Sequence, residues 1–444
     1  MTISNIFLKK PSIRNSVDSL KEILRDDIQA IRLKYVMASP ITDGPHLTPE
    51  FTTHGFPFLS VDGIQDGELV FENCRFISEQ DHFEFSKKAA PKCGDILLGK
   101  AASTGKIARV KTNKEFSIWS PLALIRPNSN LILSSFLEYS LKSLNLQVQI
   151  EDLCSFNTQK NISMGAIPNL VIPLPSLGEQ KLIADYLDRE TTEIDNLIVE
   201  KEKMLALLEE KREALISRAV TRGLDSNISL KRSGVEWLGE VPEHWQVSKI
   251  KYLTKIVRGQ FSHRPRNDPN YYDGIYPFIQ TGDVANSNKF IMEYTQTLNK
   301  NGYAVSKEFP SGTLVMTIAA NIGDIAILNF NACFPDSIVG FIPSNKTEIL
   351  FLYYLFTSMR KQFLSTAVLN TQLNLNVERV SNLFTVIPPL NEQLKIINFL
   401  DKEIQRIDQI KTETQKSIAL LKERRSALIT AAVTGQISIE EMTT

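Results

Sequence analysis

From Lys249 to Asn267 the chain carries Lys249, Lys251, Lys255, Arg258, Arg264 and Arg266 without one acidic residue, interleaved with Gln260, Phe261, Ser262 and His263. That mixture suits duplex DNA. Lysines and arginines neutralise phosphates, while Arg, Asn, Gln and His can reach base edges in the major groove. A solvated basic face is the plainer reading of the same residues. The corresponding place in the first half holds a polar loop from Thr42 to Pro49, with His46 and Thr48 as its candidate contacts, and taken alone it is an ordinary turn. Two Asn-Thr-Gln segments complete the set: Asn157 and Gln159 followed by Lys160, and Asn370 and Gln372 followed by Leu373. Their amides could bond phosphates, bases or the local backbone.

Other chemistry has no complete motif to carry it. Gly99 to Lys106 resembles a phosphate-binding loop, but five residues separate its glycines and Ile107 stands where a Ser or Thr would hold magnesium, so a β-hairpin turn is expected. Lys106 at that turn remains a candidate DNA contact. No nucleophile elbow or dinucleotide fingerprint occurs, and the five histidines lack metal-ligand spacing. Pro335-Asp336 lacks a convincing downstream carboxylate and lysine for a nuclease. Neither catalysis nor a metal site is expected on this chain.

Composition bounds the remaining classes. The 444 residues exceed one ordinary core, and 43% apolar with 23% charged residues exclude wholesale disorder. Fifty basic and fifty acidic side chains cancel, which argues against bulk polyanion binding. No apolar run reaches membrane-spanning length and the N-terminus lacks a signal-peptide pattern, so a cytoplasmic protein is expected. Cys74, Cys93, Cys154 and Cys333 form no C-x-x-C pair and read as small buried apolar residues.

The elements that must position the candidate loops come from a tandem duplication. Glu179–Thr221 aligns without a gap on Glu392–Thr434, with about half the positions identical. The same shift of 213 carries Asn157-Thr158-Gln159 onto Asn370-Thr371-Gln372. Weaker echoes lie upstream, such as Phe56-Pro57-Phe58-Leu59 against Tyr276-Pro277-Phe278-Ile279. Each half is therefore a divergent globular block followed by a better-preserved helical one. Short β-branched runs (95–98, 107–110 and 122–125; 313–318, 324–328 and 338–341) read as a small mixed sheet, followed by helices over 131–143 and 348–363.

The helical block starts with a capping box, Ser176 with Glu179, and stops at Gly223, which predicts one helix from about Leu177 to Arg222. Ile183, Leu187, Ile194, Leu197, Met204, Leu208 and Leu215 form a seam at alternating three and four spacing, echoed by Ile396, Leu400, Ile407, Ile410, Leu421 and Leu428. Each rod is roughly 65 Å long at 1.5 Å per residue and needs a partner, the nearest being the other copy. Boundaries follow: an N-terminal segment 1–27 with no assigned role, a first globular block 28–175, a helix 176–222, a connector 223–245, a second block 246–388, a helix 389–435 and a tail 436–444. The expected fold class is α+β, with two similar globular domains joined by two long antiparallel coiled-coil helices in a pseudo-two-fold repeat.

The chain resembles the specificity subunit of type I restriction-modification systems over essentially its whole length. The resemblance rests on the run Ile172–Gln180, its second copy ending Pro388-Pro389-Leu390-Asn391-Glu392-Gln393, both L-I-x-x-A-V-T helix ends, and the connector Ser233–Trp245. It implies two target recognition domains, each reading half of a split DNA site, with Asp43–His46 and Gly259–Arg264 as DNA-facing loops. It also implies two modification subunits as partners and, where present, two restriction subunits, acting together in phage defence. S-adenosylmethionine would then sit on the modification subunits, ATP and magnesium on the restriction subunits, and no cofactor on this chain. Competing readings are a coiled-coil scaffold with two protein-binding domains, and a DNA methyltransferase or nuclease acting alone.

Overall fold

The computed structural model describes residues 16–156, 160–262, 268–319, 322–369 and 373–443. The chain divides into two compact units, residues 1–202 with 415–444, and residues 203–414.

In the first unit the strand Gln29–Arg32 pairs antiparallel with Val171–Leu174, tying the start of the block to its end. Between them lie a four-stranded sheet (Thr42–Asp43, Leu122–Ile125, Ile96–Gly99, Ile107–Arg109) and a three-stranded one (Arg75–Ile77, Phe56–Leu59, Ser117–Ile118). The Gly99–Lys106 turn joins two antiparallel strands in register Leu98 to Ile107, as a hairpin turn should. Helices Ser134–Lys142 and Leu144–Asp152 follow, then the hairpin Cys154–Phe156 with Lys160–Ile162.

The second unit repeats this order. Gln246–Lys249 pairs with Phe384–Ile387. A five-stranded sheet (Thr254–Arg258, Ile338–Pro343, Leu314–Thr317, Ile325–Leu328, Phe290–Ile291) stands beside a four-stranded one (Gln296–Leu298, Tyr272–Phe278, Ala332–Cys333, Glu308–Phe309). Helices Ile349–Ser358 and Arg360–Ser365 precede the hairpin Ala367–Leu369 with Leu373–Leu375. The single helix expected over 348–363 is broken at Met359, whose φ of −90° and ψ of 7° leave helical geometry. In the first unit the helix begins at Ser134 rather than 131, because residues 128–132 close a turn with the Leu131 and Ile132 amides on the Asn128 carbonyl.

The central helix spans Leu177–Arg222 and the C-terminal helix Leu390–Val433. They end on Gly223 (φ 75°) and Gly435 (φ 76°), left-handed positions that glycine occupies without Cβ strain. The two run antiparallel. Within the first unit Arg425 grips Asp195 (2.8 Å) and Lys422 approaches Glu202; within the second, Lys411 grips Glu209 (2.5 Å).

The seam departs from the heptad expectation. Ile183, Leu187 and Ile194 are buried, but Leu197 and Met204 are exposed, and Ile198 and Ile216 are buried in the first helix. A strict 3.5 repeat drifts around a helix of 3.6 residues per turn, so the buried stripe moves on by one position along the rod. On the second helix Ile396, Leu400, Ile404, Ile407 and Ile418 are buried.

The cysteines also need correcting: Cys333 is buried, and burial pushes its thiol up to about 11, but Cys93 is exposed. Among the described residues no helix is long and apolar enough to cross a membrane, and no His, Cys, Asp or Glu group could hold a metal.

Candidate functional site

Each block brings its candidate segments together on one scaffold. In the first, the Asp43 carboxylate accepts from Lys100 (2.6 Å) and Lys88 (2.5 Å), which fastens the 43–48 loop to the strand end that leads into the 100–106 turn. The Lys100 carbonyl takes the Ile162 amide (2.9 Å) and the Thr104 hydroxyl donates to the Lys160 carbonyl (2.9 Å), so the hairpin 154–162 is fastened to the same turn. Three segments that are distant in sequence thus converge. Burial would raise the Asp43 carboxyl, but the two ammonium groups outweigh it and hold it below the usual carboxylate range.

The candidates in this block differ in freedom. His46 is 71% exposed at its side chain, with Nε2 3.4 Å from Asp43, and Thr48 is exposed. Lys106 spends its ammonium on the Ile64 carbonyl (2.8 Å), and Lys160 pairs with Glu151 (2.5 Å). Asn157 and Gln159 lie outside the described residues.

In the second block the Gly259 amide donates to the Ile338 carbonyl, Gln260 to Phe334 and Ser262 to Val305, while the Arg258 Nε donates to the Asp336 carbonyl (2.7 Å). The Leu375 amide donates to Ile318, which fastens the hairpin 367–375 to the same region as its counterpart in the first block. Gln260 reaches Ser262 (3.0 Å) through its side-chain amide, and both are exposed. His263, Arg264, Arg266, Asn370 and Gln372 lie outside the described residues.

Two expectations change here. Phe261 is 3% exposed, packed on Tyr272 and Phe278 at 5.8 and 5.3 Å between ring centres, so it supports the loop and offers no contact surface. Lys251 sits before the strand Thr254–Arg258, its ammonium on Asn382 (3.1 Å), and Lys255 is exposed on that strand. Four residues of strand, about 13 Å, separate Thr254 from Arg258. Lys251 and Gln260 therefore belong to opposite ends of the strand and form no single patch.

The sequence reading missed the parts that attach each block to its helix. Gln180 is fully buried, donating to the Leu131 and Pro175 carbonyls and accepting from the Leu133 amide. Gln393 does the same with Lys346, Pro388 and Glu348. Tyr139 donates to Asp188 (2.6 Å), and Tyr354 to Asp401. The 213 shift relates the glutamines and aspartates, so the repeat held this signal. The N-terminal segment also gains a counterpart. Arg25 pairs with Glu179 (2.5 Å) where Trp245 Nε1 donates to the equivalent Glu392 (2.9 Å). Ser176 completes its capping box with Glu179, whereas Glu392 is taken by Trp245 and His244.

These features define a duplicated scaffold: two β-rich blocks of one design, clasped by equivalent residues to two antiparallel helices, with diverged polar loops. The family model described as "Type I restriction modification DNA specificity domain" matches residues 45–204 and 242–420. The chain belongs to this family, that of the type I restriction-modification specificity subunits. It is 24% identical to the type I restriction enzyme MjaVIII specificity subunit of Methanocaldococcus jannaschii, covering 87% of each chain, and 21% identical to the EcoKI specificity subunit of Escherichia coli, covering 86% of this chain and 83% of that one. Its fold is similar to a chain from a structure of type I restriction-modification complex assembly (TM-score 0.73, 17% identity, 93% and 99% covered). It is also similar to the HsdS subunit of Thermoanaerobacter tengcongensis (TM-score 0.54, 17% identity, 93% and 98% covered).

Proposed function

We propose that this chain is the non-catalytic DNA-reading subunit of a type I restriction-modification complex. Its two blocks, residues 28–175 and 246–388, each read one half of a bipartite double-stranded site, and the helices over 176–222 and 389–435 set the spacing between halves. The observation that carries this reading is the duplication itself: two blocks with one set of clasps and different loops suit two half-sites of different sequence. Methyl transfer belongs to two modification subunits that bring S-adenosylmethionine. Cleavage, where restriction subunits are present, draws on their ATP and magnesium.

Within the blocks, His46 and Thr48 in the first and Gln260, Ser262, His263, Arg264 and Arg266 in the second are the proposed readers, together with Asn157, Gln159, Asn370 and Gln372. Lys106, Lys160, Lys251 and Lys255 serve the phosphates. Mapping methylated bases across the genome of a host carrying this gene and its modification partner tests the reading. One bipartite motif is expected. Scattered or absent methylation that depends on this chain overturns it.

A further inference from the structure

The loop that carries His46 and Thr48 rests on a base that is far more constrained than its tip. Asp43 is 5% exposed, and both its oxygens are occupied by ammonium groups, one of them from Lys100, itself buried. Lys88, half exposed, also donates to the Gly44 carbonyl (3.1 Å), and the Pro45 carbonyl accepts the Ser120 amide (3.2 Å). A Cβ at Gly44 would lie 1.9 Å from the Ile118 carbonyl oxygen, so the backbone here is pressed flat onto the neighbouring strand. Beyond it His46 and Leu47 stand out into solvent, Leu47 at 78% exposure.

The second block builds the same base from other residues. A Cβ at Gly259 would lie 2.2 Å from the Pro335 carbonyl oxygen, so this glycine too is pressed onto a strand connection. Arg258 occupies the place of Asp43, each being the last residue of a strand paired antiparallel within the main sheet (Asp43 with Ala123, Arg258 with Val339). In place of a buried carboxylate with two lysines, Arg258 donates to the Asp336 carbonyl. The repeat thus keeps a residue-plus-glycine pedestal and changes the chemistry of the residue before the glycine.

We propose that Asp43 and Arg258 are positioning residues for readout, each fixing the presentation of the loop that follows it and so the base preference of its own half-site. A reader on a rigid base is held in register with a base edge; one on a loose base accepts several edges, and discrimination falls while phosphate contacts persist. Asp43 itself is nearly inaccessible, so its effect passes through the loop. This inference rests on the DNA-reading function proposed above.

The test maps the methylated motif in hosts carrying the modification partner with the wild-type chain, Asp43→Asn, Lys88→Gln or Arg258→Gln. In Asp43→Asn, discrimination at one or two base pairs of one half-site should fall by roughly tenfold while the other half stays as in the wild type. Arg258→Gln should relax the opposite half. Lys88→Gln breaks the tie to Gly44 from a half-exposed position, leaves the buried pair intact and should relax the same half as Asp43→Asn. It decides the matter for the first block if Asp43→Asn fails to accumulate. A merely structural role would lower methylation of both halves together. A wild-type chain without a bipartite motif refutes the DNA-reading function itself. A wild-type motif left unchanged by the variants, or lost in both halves at once, overturns the positioning role alone.

Discussion

Gln393 is the residue whose loss should be felt most locally. It is fully buried and serves three backbone groups at once, the Lys346 carbonyl (2.9 Å), the Pro388 carbonyl (2.9 Å) and the Glu348 amide (2.8 Å). Glu348 stands at the N-cap position of the helix Ile349–Ser358, and Pro388 closes the second block just before the C-terminal helix begins at Leu390. Gln393→Met keeps the length of the side chain and removes both donors and the acceptor. Three partly or wholly buried groups lose their partners at a cost of about 1 kcal/mol each at the low end, or about 3 kcal/mol together. Because each 1.4 kcal/mol is tenfold, opening of the segment around Glu348 should become on the order of a hundredfold easier. Hydrogen exchange resolved to single amides reads this directly as faster exchange at Glu348. Gln180→Met should produce the same acceleration at the Leu133 amide and leave Glu348 as it was. Protection at Glu348 within threefold of wild type would refute the claim that this glutamine clamps block to helix.

Phe261→Ala should destabilise the second block by about 3–5 kcal/mol, because a ring packed among Tyr272 and Phe278 is removed, and a loss under about 1 kcal/mol in exchange across strand Tyr272–Phe278 would contradict its core placement. Arg425→Ala should cost the first unit only about 0.5–1 kcal/mol, since its pair with Asp195 is partly exposed, and the difference should shrink in 1 M salt. Glu138 is buried, which raises its carboxyl, but Lys142, Lys111 and Arg109 outweigh burial and hold it below the ordinary carboxylate value. Its contribution is thus complete above the unfolded carboxylate pKa and lost as pH falls through the lower folded one; Glu138→Gln should flatten the acid limb of exchange protection in helix Ser134–Lys142. Lys255→Ala should weaken binding to all duplexes alike and lower the salt slope by about one unit, whereas a loss confined to one sequence would make Lys255 a base reader.

How much of this was legible in the sequence follows from what the repeat preserves. The first long helix was legible at Leu177, Arg222 and Gly223, because a capping box and a left-handed stop are local and need no partner, whereas the second, expected over 389–435, spans Leu390–Val433. The seam was read only in part: Ile183, Leu187 and Ile194 held, but the choice between Leu197 and Ile198 depends on how the stripe drifts along the rod, which period counting alone does not fix. The clasp residues Gln180 and Gln393 stood in plain view inside the aligned block, yet a polar residue on a helix reads as solvent-facing until its backbone partners are known, among them the Leu133 and Glu348 amides 47 and 45 residues away. The recognition loops were the least legible. Phe261 looked like part of a mixed polar and aromatic reading surface because sequence spacing places it beside Gln260 and Ser262, and only the antiparallel bridge from Phe261 to Ser306 turns its ring inward. Asp43 suffered the opposite error: an acid in a polar turn passed for ordinary, since its two lysines come from 45 and 57 residues further on. Under the positioning role proposed for Asp43 and Arg258, base preference depends also on side chains that never reach the DNA. A loop's chemistry is written at its tip, but its geometry is written in the partners of its base, and those partners differ between the two halves: two lysines hold Asp43, whereas Arg258 donates to the Asp336 carbonyl.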